Sequence, residues 1–536
     1  MAHSRLGVLV LPIMVIGAML LASCSSKAVD TTASTTSTKP YGSLVITANN
    51  WGSGPIDPTV TGSANTFQSA AAAVLDTLVG VSVEGKLIPA LAERWEIATD
   101  GLTHTFYIRK GVKFHDGSDL TGADVKFSIE RVIAPDSGSQ DAPAWRPLID
   151  RIELKDDFTV VLRLKQPQFE LFQGGLSDFS GSQAVFPKKY MEQVGVDAWR
   201  KKPVGSGPWK VVNYQNNIRL DLEANEDYWG EVPKFKNLSY LYVPEAATQV
   251  AMLKTGESDL SEVAPDAVAG LKAAGLKIQK HDGAAQSFLN MFYDLNNPQK
   301  YAIGDVRVRK AASLAINRKE MADNLFNGYA EPSALWYVRP TAYFFDPNQI
   351  KVDPYDPDQA KKLLADAGYP NGFPTKIWDT GSGSSTSTII QALPGYWRKI
   401  GINAEVATAE YAIVRAMWYP AHKPEIWNTF FGTVSGGGVF NFEKMIVAYH
   451  STKGNFKNFK NPRLDELVDK VPMTVDPVEK KKLAQEAALL AKNEYNVIAL
   501  LDHYTILALG SKVGSITPIK GIARLAYAFS SITHAK

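Results

Sequence analysis

The spacing of apolar and polar positions changes along the chain. Ser43-Leu44-Val45-Ile46-Thr47-Ala48 is a short apolar run that predicts a buried strand, and it stops at the polar-aromatic stretch Asn49-Asn50-Trp51-Gly52. Thr66–Leu78 reads as helix. Leu102–Arg109 alternates, with Phe106 and Ile108 on one face and Tyr107 and Arg109 on the other, so it predicts a strand, and Asp116-Gly117 predicts a turn. Arg151–Leu154 and Thr159–Leu164 flank Asp156-Asp157 and predict a hairpin.

The second half carries helix signals with clear starts and stops. Asp356-Pro357-Asp358 supplies an N-cap, a first-turn proline and an early acid. Ala360, Leu363, Leu364 and Ala367 then share a face, and Gly368 with Pro370 ends the segment. Asn461-Pro462 opens a second helix with the stripe Leu464, Leu467, Val468 and Val471. Asp476-Pro477 opens a third, with Glu479 as a capping-box partner and Leu483, Ala487, Leu490 and Ala491 on its face. Asn317 with Glu320 marks another start, closed near Gly328. Strands and helices mixed over the whole length predict an α/β (mixed α+β) architecture. A chain of 536 residues exceeds one core, and its length suggests about three domains.

The N-terminus changes the picture. Residues 1–23 have the layout of a signal peptide, with Arg5 ahead of an apolar stretch from Leu6 to Ala22. That stretch is shorter than the roughly 20 residues that span hydrocarbon, and it contains Pro12 and Gly17. It ends Leu21-Ala22-Ser23-Cys24, which resembles the lipobox of bacterial lipoproteins, so Cys24 is the expected lipidation site. Residues 24–40 continue as a Ser/Thr-rich segment with little to bury, expected to be a disordered tether. The expectation is an exported protein held to the membrane by a lipid anchor only.

Composition and motifs remove whole classes of chemistry. The net charge is +2, and no Lys/Arg-rich run marks a nucleic-acid footprint. Cys24 is the single cysteine, which leaves no disulfide or cysteine metal cluster. The eight histidines lie far apart and show no metal-ligand spacing, and His115 reads as part of a turn. No G-x-S-x-G elbow or G-x-G-x-x-G loop occurs. Gly80 to Gly85 followed by Lys86 has phosphate-loop spacing. Leu87, however, stands where a magnesium-binding Ser or Thr belongs, so a hairpin is the better reading. Gly436-Gly437-Gly438 reads as a loop. No cofactor, metal site or catalytic constellation is expected.

Several blocks together resemble the family 5 extracellular solute-binding proteins of ABC importers. The longest runs Leu87-Ile88-Pro89-Ala90-Leu91-Ala92-Glu93-Arg94-Trp95-Glu96, then Asp100-Gly101-Leu102, Phe106 to Arg109, Val112-Lys113-Phe114-His115-Asp116-Gly117 and Leu120 to Val125. Pro203-Val204-Gly205-Ser206-Gly207-Pro208-Trp209, Asn225 to Gly230, Asp305 to Ala311 with Ala315 to Arg318, Tyr355 to Pro370, Gly401-Ile402 and Asn461 to Asp465 follow in the family's order.

The resemblance implies a periplasmic-binding-protein-like body of type II with an enlarged first lobe. Lobe 1 is expected over 41–287 and 501–536 with an extra subdomain, and lobe 2 over 288–500, the chain crossing near Phe288–Asp294 and Val497–His503. A small-molecule ligand would be enclosed at the lobe interface by hinge closure. The expected partners are importer permease subunits with their ATPases, and the expected state is a monomer. Peptide-binding members carry a Trp-x-x-Asp segment whose aspartate pairs with the peptide's α-ammonium. The corresponding stretch, Phe430 to Gly438, contains no aspartate, and an ammonium buried without a counter-charge costs several kcal/mol. Ordinary peptides are therefore not the default ligand, and oligosaccharides, metal chelates and aromatic compounds stay open. Expected pocket residues, at loops and strand ends, are Asn50, Trp51, Trp145, Arg146, Trp336, Tyr337, Tyr411, Trp427, Phe430, Phe431 and Ser435. A surface-anchored hydrolase and a lipoprotein chaperone or sensor on the same scaffold are the alternatives.

Overall fold

The computed structural model describes residues 39–49, 56–60, 71–81, 87–139, 141–169, 183–336, 338, 342–380, 384–410, 413–414, 427–435, 446, 450–452, 460–517 and 525–536. The leader and Cys24 lie outside them.

In chain order the strands are β1 (Tyr41–Ala48), β2 (Val79–Val81), β3 (Leu87–Pro89), β4 (Ala92–Ile97), β5 (Thr103–Ile108), β6 (Ile149–Asp156), β7 (Thr159–Leu164), β8 (Trp209–Gln215), β9 (Arg219–Ala224), β10 (Phe235–Tyr242), β11 (Leu260–Glu262), β12 (Lys277–Phe292), β13 (Ala330–Pro332), β14 (Phe373–Asp379), β15 (Ile402–Thr408), β16 (Thr429–Ser435), β17 (Val497–Leu509), β18 (Val513–Ser515) and β19 (Thr533–His534). Eleven of them form one sheet in the order β15-β14-β16-β12-β17-β11-β1-β10-β9-β8, with β13 also on β17. A separate four-stranded sheet runs β4-β5-β7-β6.

The predicted elements form for the reasons read from the chain. The β6–β7 hairpin turns at Asp156-Asp157, where the Asp156 carboxylate accepts the Phe158 N–H at 2.8 Å. β2 and β3 pair antiparallel across Gly80 and Ile88, so the phosphate-loop spacing belongs to a hairpin. Helices α1 (Gly122–Ile133), α2 (Arg318–Phe326), α3 (Pro357–Asp366), α4 (Ser384–Arg398), α5 (Pro462–Met473) and α6 (Pro477–Asn493) include the four predicted ones. The caps Asn317, Asp356, Asn461 and Asp476 each accept backbone N–H bonds from the first turn. One expectation fails in part. Of Thr66–Leu78, the described residues make only a 3-10 turn at Ala71–Ala73 and then continue as irregular backbone with one isolated bridge, Thr77 to Ala184. There the backbone is claimed by tertiary bonds, Gly207 N–H to Val74 O at 2.9 Å and Leu78 N–H to Gln183 O at 3.0 Å.

Distinct apolar cores flank these sheets. One gathers Leu44, Ile46, Trp199, Trp209, Leu222 and Leu238 around β1 and β8–β10. A second joins Leu289, Met291, Ile377, Trp397, Phe430 and Leu500. A third holds Phe106, Val125, Ile129, Val160 and Leu162 between α1 and the four-stranded sheet, and a fourth packs α5 on α6.

Candidate ligand-binding cleft

Strand direction locates the site. β1 and β10 are parallel, β11 is parallel to β1, and β11 opposes β17 with Leu260 at Leu509 and Glu262 at Leu507. On the other side β14 and β15 run parallel to β16, which opposes β12 with Thr429 at Phe292 and Ser435 at Gln286. The two parallel sets thus aim their carboxyl ends at one level from opposite directions. That level is the middle of the long pair β12–β17, where β12 passes from Ile278, packed with Ile506 and Ala508, to Leu289 and Met291 in the second core. Open α/β sheets bind ligands beyond the carboxyl ends of their strands.

The pairing of β12 with β17 is interrupted at this level. Asp282 faces Tyr504 and Gln286 faces Asp502, so Gly283, Ala284 and Ala285 oppose His503 alone. A second shift follows between Ser287 and Phe288. Gly283 has no substitute here, because a Cβ would stand 2.3 Å from the His503 carbonyl oxygen. Polar groups, buried at Gln286, Ser287, Ser333 and Asp502 and exposed at Glu331, line the crossover. The Gln286 amide donates to Asp502 Oδ1 at 2.5 Å and to Ser333 Oγ at 3.3 Å. Ser287 Oγ accepts the Leu501 N–H at 3.1 Å. Tyr504 donates to Glu331 Oε2 at 2.7 Å, and its hydroxyl is pushed up to about 12 by burial and by that acid. Trp336, 4% exposed, lies against Phe288 with ring centres 4.0 Å apart.

The predicted pocket residues divide sharply. Asn50, Trp51, Tyr337 and Tyr411 lie outside the described residues. Asn50 follows the carboxyl end of β1 by two residues and Tyr411 that of β15 by three. Ser435 ends β16 in register with Gln286, and Trp336 packs beside the crossover. Trp145 belongs elsewhere, in the core of the four-stranded sheet. Its neighbour Arg146 is exposed and donates to the carbonyls of Ile133 at 3.0 Å, Ala134 at 2.5 Å and Pro135 at 3.5 Å, capping the end of α1. Trp427 precedes the amino end of β16, and that end, at Thr429, is roughly 20 Å from Ser435 at the ordinary strand rise; Trp427 meets Tyr301 edge-on. Phe430 faces the second core against Trp397, and Phe431 packs on the opposite face with Phe292 and Val414. These aromatics alternate across the strand, which is why an apolar run alone cannot tell cleft from core.

Gln286, Ser333, Glu331 and Asp502 were not among the predicted residues. The signal for Asp502 is in the sequence: it interrupts the apolar run Val497-Ile498-Ala499-Leu500-Leu501, where an acid has no packing reason to stand.

The longest sequence blocks converge on a different place. Asp76 accepts Tyr228 Oη at 2.8 Å and Trp229 Nε1 at 2.8 Å. Burial raises its carboxyl to about 6 against the pull of those bonds and of Ser206. His115 holds the Gly205–Gly207 turn from both ring nitrogens, Nδ1 accepting the Gly205 N–H at 3.2 Å and Nε2 bonding the Gly207 carbonyl at 2.9 Å. Burial lowers its imidazole to about 4.

Comparison with known proteins agrees with this architecture. Heme-binding protein A of Haemophilus influenzae is 29% identical over 429 residues, covering 76% of this chain and 77% of that protein. The glutathione-binding protein GsiB of Salmonella choleraesuis is 29% identical over 427 residues, 78% of this chain and 81% of its own. In fold, the chain is similar to the periplasmic binding protein DppA of Helicobacter pylori, solved with the peptide STSA. The TM-score is 0.72 at 24% identity, over 92% of this chain and 98% of the other. The mixed α/β, two-lobed fold is the one these structures share. Residues 86–455 match the bacterial extracellular solute-binding proteins, family 5, and the chain belongs to that family.

Proposed function

We propose that the protein is the exported receptor of an ABC importer and captures a small organic solute between its lobes for delivery to the permease. The observation that supports this most directly is the convergence of both sets of parallel strand ends on the polar crossover of β12 and β17. Lobe 1 takes in 41–287 and 501–536 and lobe 2 takes in 288–500. The two crossing strands act as the hinge, and Gly283 gives them the close approach the crossover needs. Closure is favoured only by as much as the solute binds the closed form better than the open one. The leader directs export and is removed, and lipidated Cys24 anchors the chain to the membrane as a monomeric lipoprotein. The heme- and glutathione-binding relatives favour an organic solute with several polar groups, peptide-like or a chelate.

A ligand panel tests this reading. Thermal unfolding is measured with glutathione, hemin, short peptides, oligosaccharides and nickel–histidine. At least one class is expected to raise the melting temperature with concentration, by the equivalent of about 2.7 kcal/mol at a hundred times Kd. A flat response to every class sinks the receptor reading, and turnover of any compound replaces it with an enzyme.

A further inference from the structure

We propose that Arg318 is the positioning residue of lobe closure. It fixes a bulge in β17 as the rigid end of lobe 2, so the bend between the lobes falls in 282–287 of β12 and 501–504 of β17. This rests on the two-lobe reading above. Register locates the bulge. Ser287 pairs with Leu501 and Phe288 with Ala499, so Leu500 is the extra residue on β17. β13 flanks β17 from His503 to Leu501. Past that point the Ser333 N–H bonds the Leu500 carbonyl at 3.1 Å, and Arg318 Nε donates to the Ala499 carbonyl at 2.9 Å. Leu500 is also the last residue assigned to lobe 2.

Arg318 opens α2 and is 3% exposed. Its Nη1 donates at 3.1 Å to the carbonyl of Ser313, in the last turn of the helix Val306–Leu314, and its Nη2 donates to Ser313 Oγ at 2.7 Å. Ser313 Oγ donates in turn to Asp353 Oδ2 at 2.6 Å, and Lys492 of α6 pairs with Asp353 Oδ1 at 3.0 Å. Burial pushes the Asp353 carboxyl up, but Lys492 and Arg318 outweigh it and hold the group below the ordinary carboxylate range. Ser313, Asp353 and Lys492 all belong to lobe 2. A planar guanidinium keeps its donors in one geometry, so the carbonyl on β17 cannot shift without dragging this hub. As mere filling, a buried charge is poorly chosen, since an apolar side chain of similar volume avoids its desolvation. What the fork adds is a fixed point on the backbone, where lobe 2 hands β17 to the crossover. Hinges confine their dihedral changes to a few residues, and a fixed bulge supplies that boundary.

The test reads the distance between the lobes in the full chain without any solute. Fluorophores are attached through a ketone-bearing amino acid at positions 236 and 362, which are exposed lysines of lobe 1 and lobe 2, and single-molecule energy transfer gives the distribution. Arg318→Lys keeps the charge but cannot span the three acceptors. It should place about 10% or more of the molecules outside the wild-type range. Ser313→Ala removes only the hydroxyl between Arg318 and Asp353. It should act in the same direction to a smaller extent, and it carries the test if Arg318→Lys does not fold. Val471→Ala, in the core of α5 and α6, should lower the melting temperature and leave the wild-type distribution unchanged. A wild-type distribution in the Arg318 and Ser313 variants overturns the inference, and so does equal broadening in Val471→Ala. Because no solute is present, a flat ligand panel sinks the receptor reading without deciding this one.

Discussion

Two of the buried polar clusters among the described residues differ in what they join. At the first, Asp76 and His115 tie the loops 205–207 and 228–229 together, and every observed partner is framework: tyrosine, tryptophan and the backbone of a glycine turn. Val204 beside them packs against both the core of β1 and β8–β10 and the core of the four-stranded sheet. At the second, Gln286 and Asp502 lie on strands that pass between cores, at a break in pairing and among converging strand ends. Apart from Asp76, the first cluster is made of residues that carry the family resemblance, and the second contains none of them. The resemblance therefore records a joint of the framework, while the crossover proposed above as the solute site lies in strands outside it. A chain can match the family closely over its first blocks and differ freely in ligand.

The largest expected effect comes from breaking the joint. A Cβ at Gly205 would stand 2.2 Å from the Val74 carbonyl oxygen, which is backbone, and 2.7 Å from Cδ2 of Leu75, a side chain buried in the core. Gly205→Ala should cost about 3 kcal/mol or more in urea unfolding, at the upper end of overpacking penalties. Asp502→Asn, at a position that is also buried, should cost far less. Similar losses from the two variants would erase the contrast between framework and site.

A second prediction sharpens the electrostatics of the joint. Asp76 holds its proton to about pH 6 in the folded protein against an ordinary 3.8, so stability falls as pH rises through that window. His115 titrates near 4 against an ordinary 6.5, so the unfolded chain takes up the proton first as pH falls, and stability rises with pH from 4 to 6.5. Each slope amounts to about 3 kcal/mol, and in the wild type they largely cancel. Asp76→Asn removes the falling limb. Between pH 4 and pH 7 the variant's unfolding free energy should gain about 3 kcal/mol relative to wild type, whatever its constant offset. Parallel pH curves for the two proteins would mean that Asp76 titrates as it does in water.

Legibility in the sequence follows the same divide. Asp356, Asn461 and Asp476 announce their helices because a cap acts on N–H groups two or three residues away. The Asp156 hairpin is equally local. The crossover is not local: Gln286 and Asp502 are 216 residues apart, and nothing short of the sheet order brings them together. Aromatic residues misled for a related reason. Phe430 and Phe431 are adjacent in the chain but face opposite sides of β16, and Trp427 stands at the wrong end of it. Polarity inside an apolar strand, as at Asp502, points to the crossover more directly than aromatic content does, since an aromatic has a packing reason to be buried and a carboxylate has none.

The smallest effect separates site from framework at a residue that sequence placed in the pocket. Arg146 donates to three successive carbonyls at the end of α1, where the helix leaves acceptors unsatisfied and its dipole favours a cation. Removing the side chain returns those carbonyls to water, because the position is exposed, so the penalty is that of a lost cap and not of an orphaned buried group. Arg146→Ala should lower stability by about 0.5–1 kcal/mol and leave the affinity for any solute that stabilises the wild type unchanged. Arg146→Lys should recover only part of the loss, since a single ammonium cannot reach three carbonyls as the guanidinium fork does. A change in affinity without a change in stability would return Arg146 to the cleft. It would also mean that the four-stranded sheet reaches the solute by a route the strand order of the main sheet does not provide.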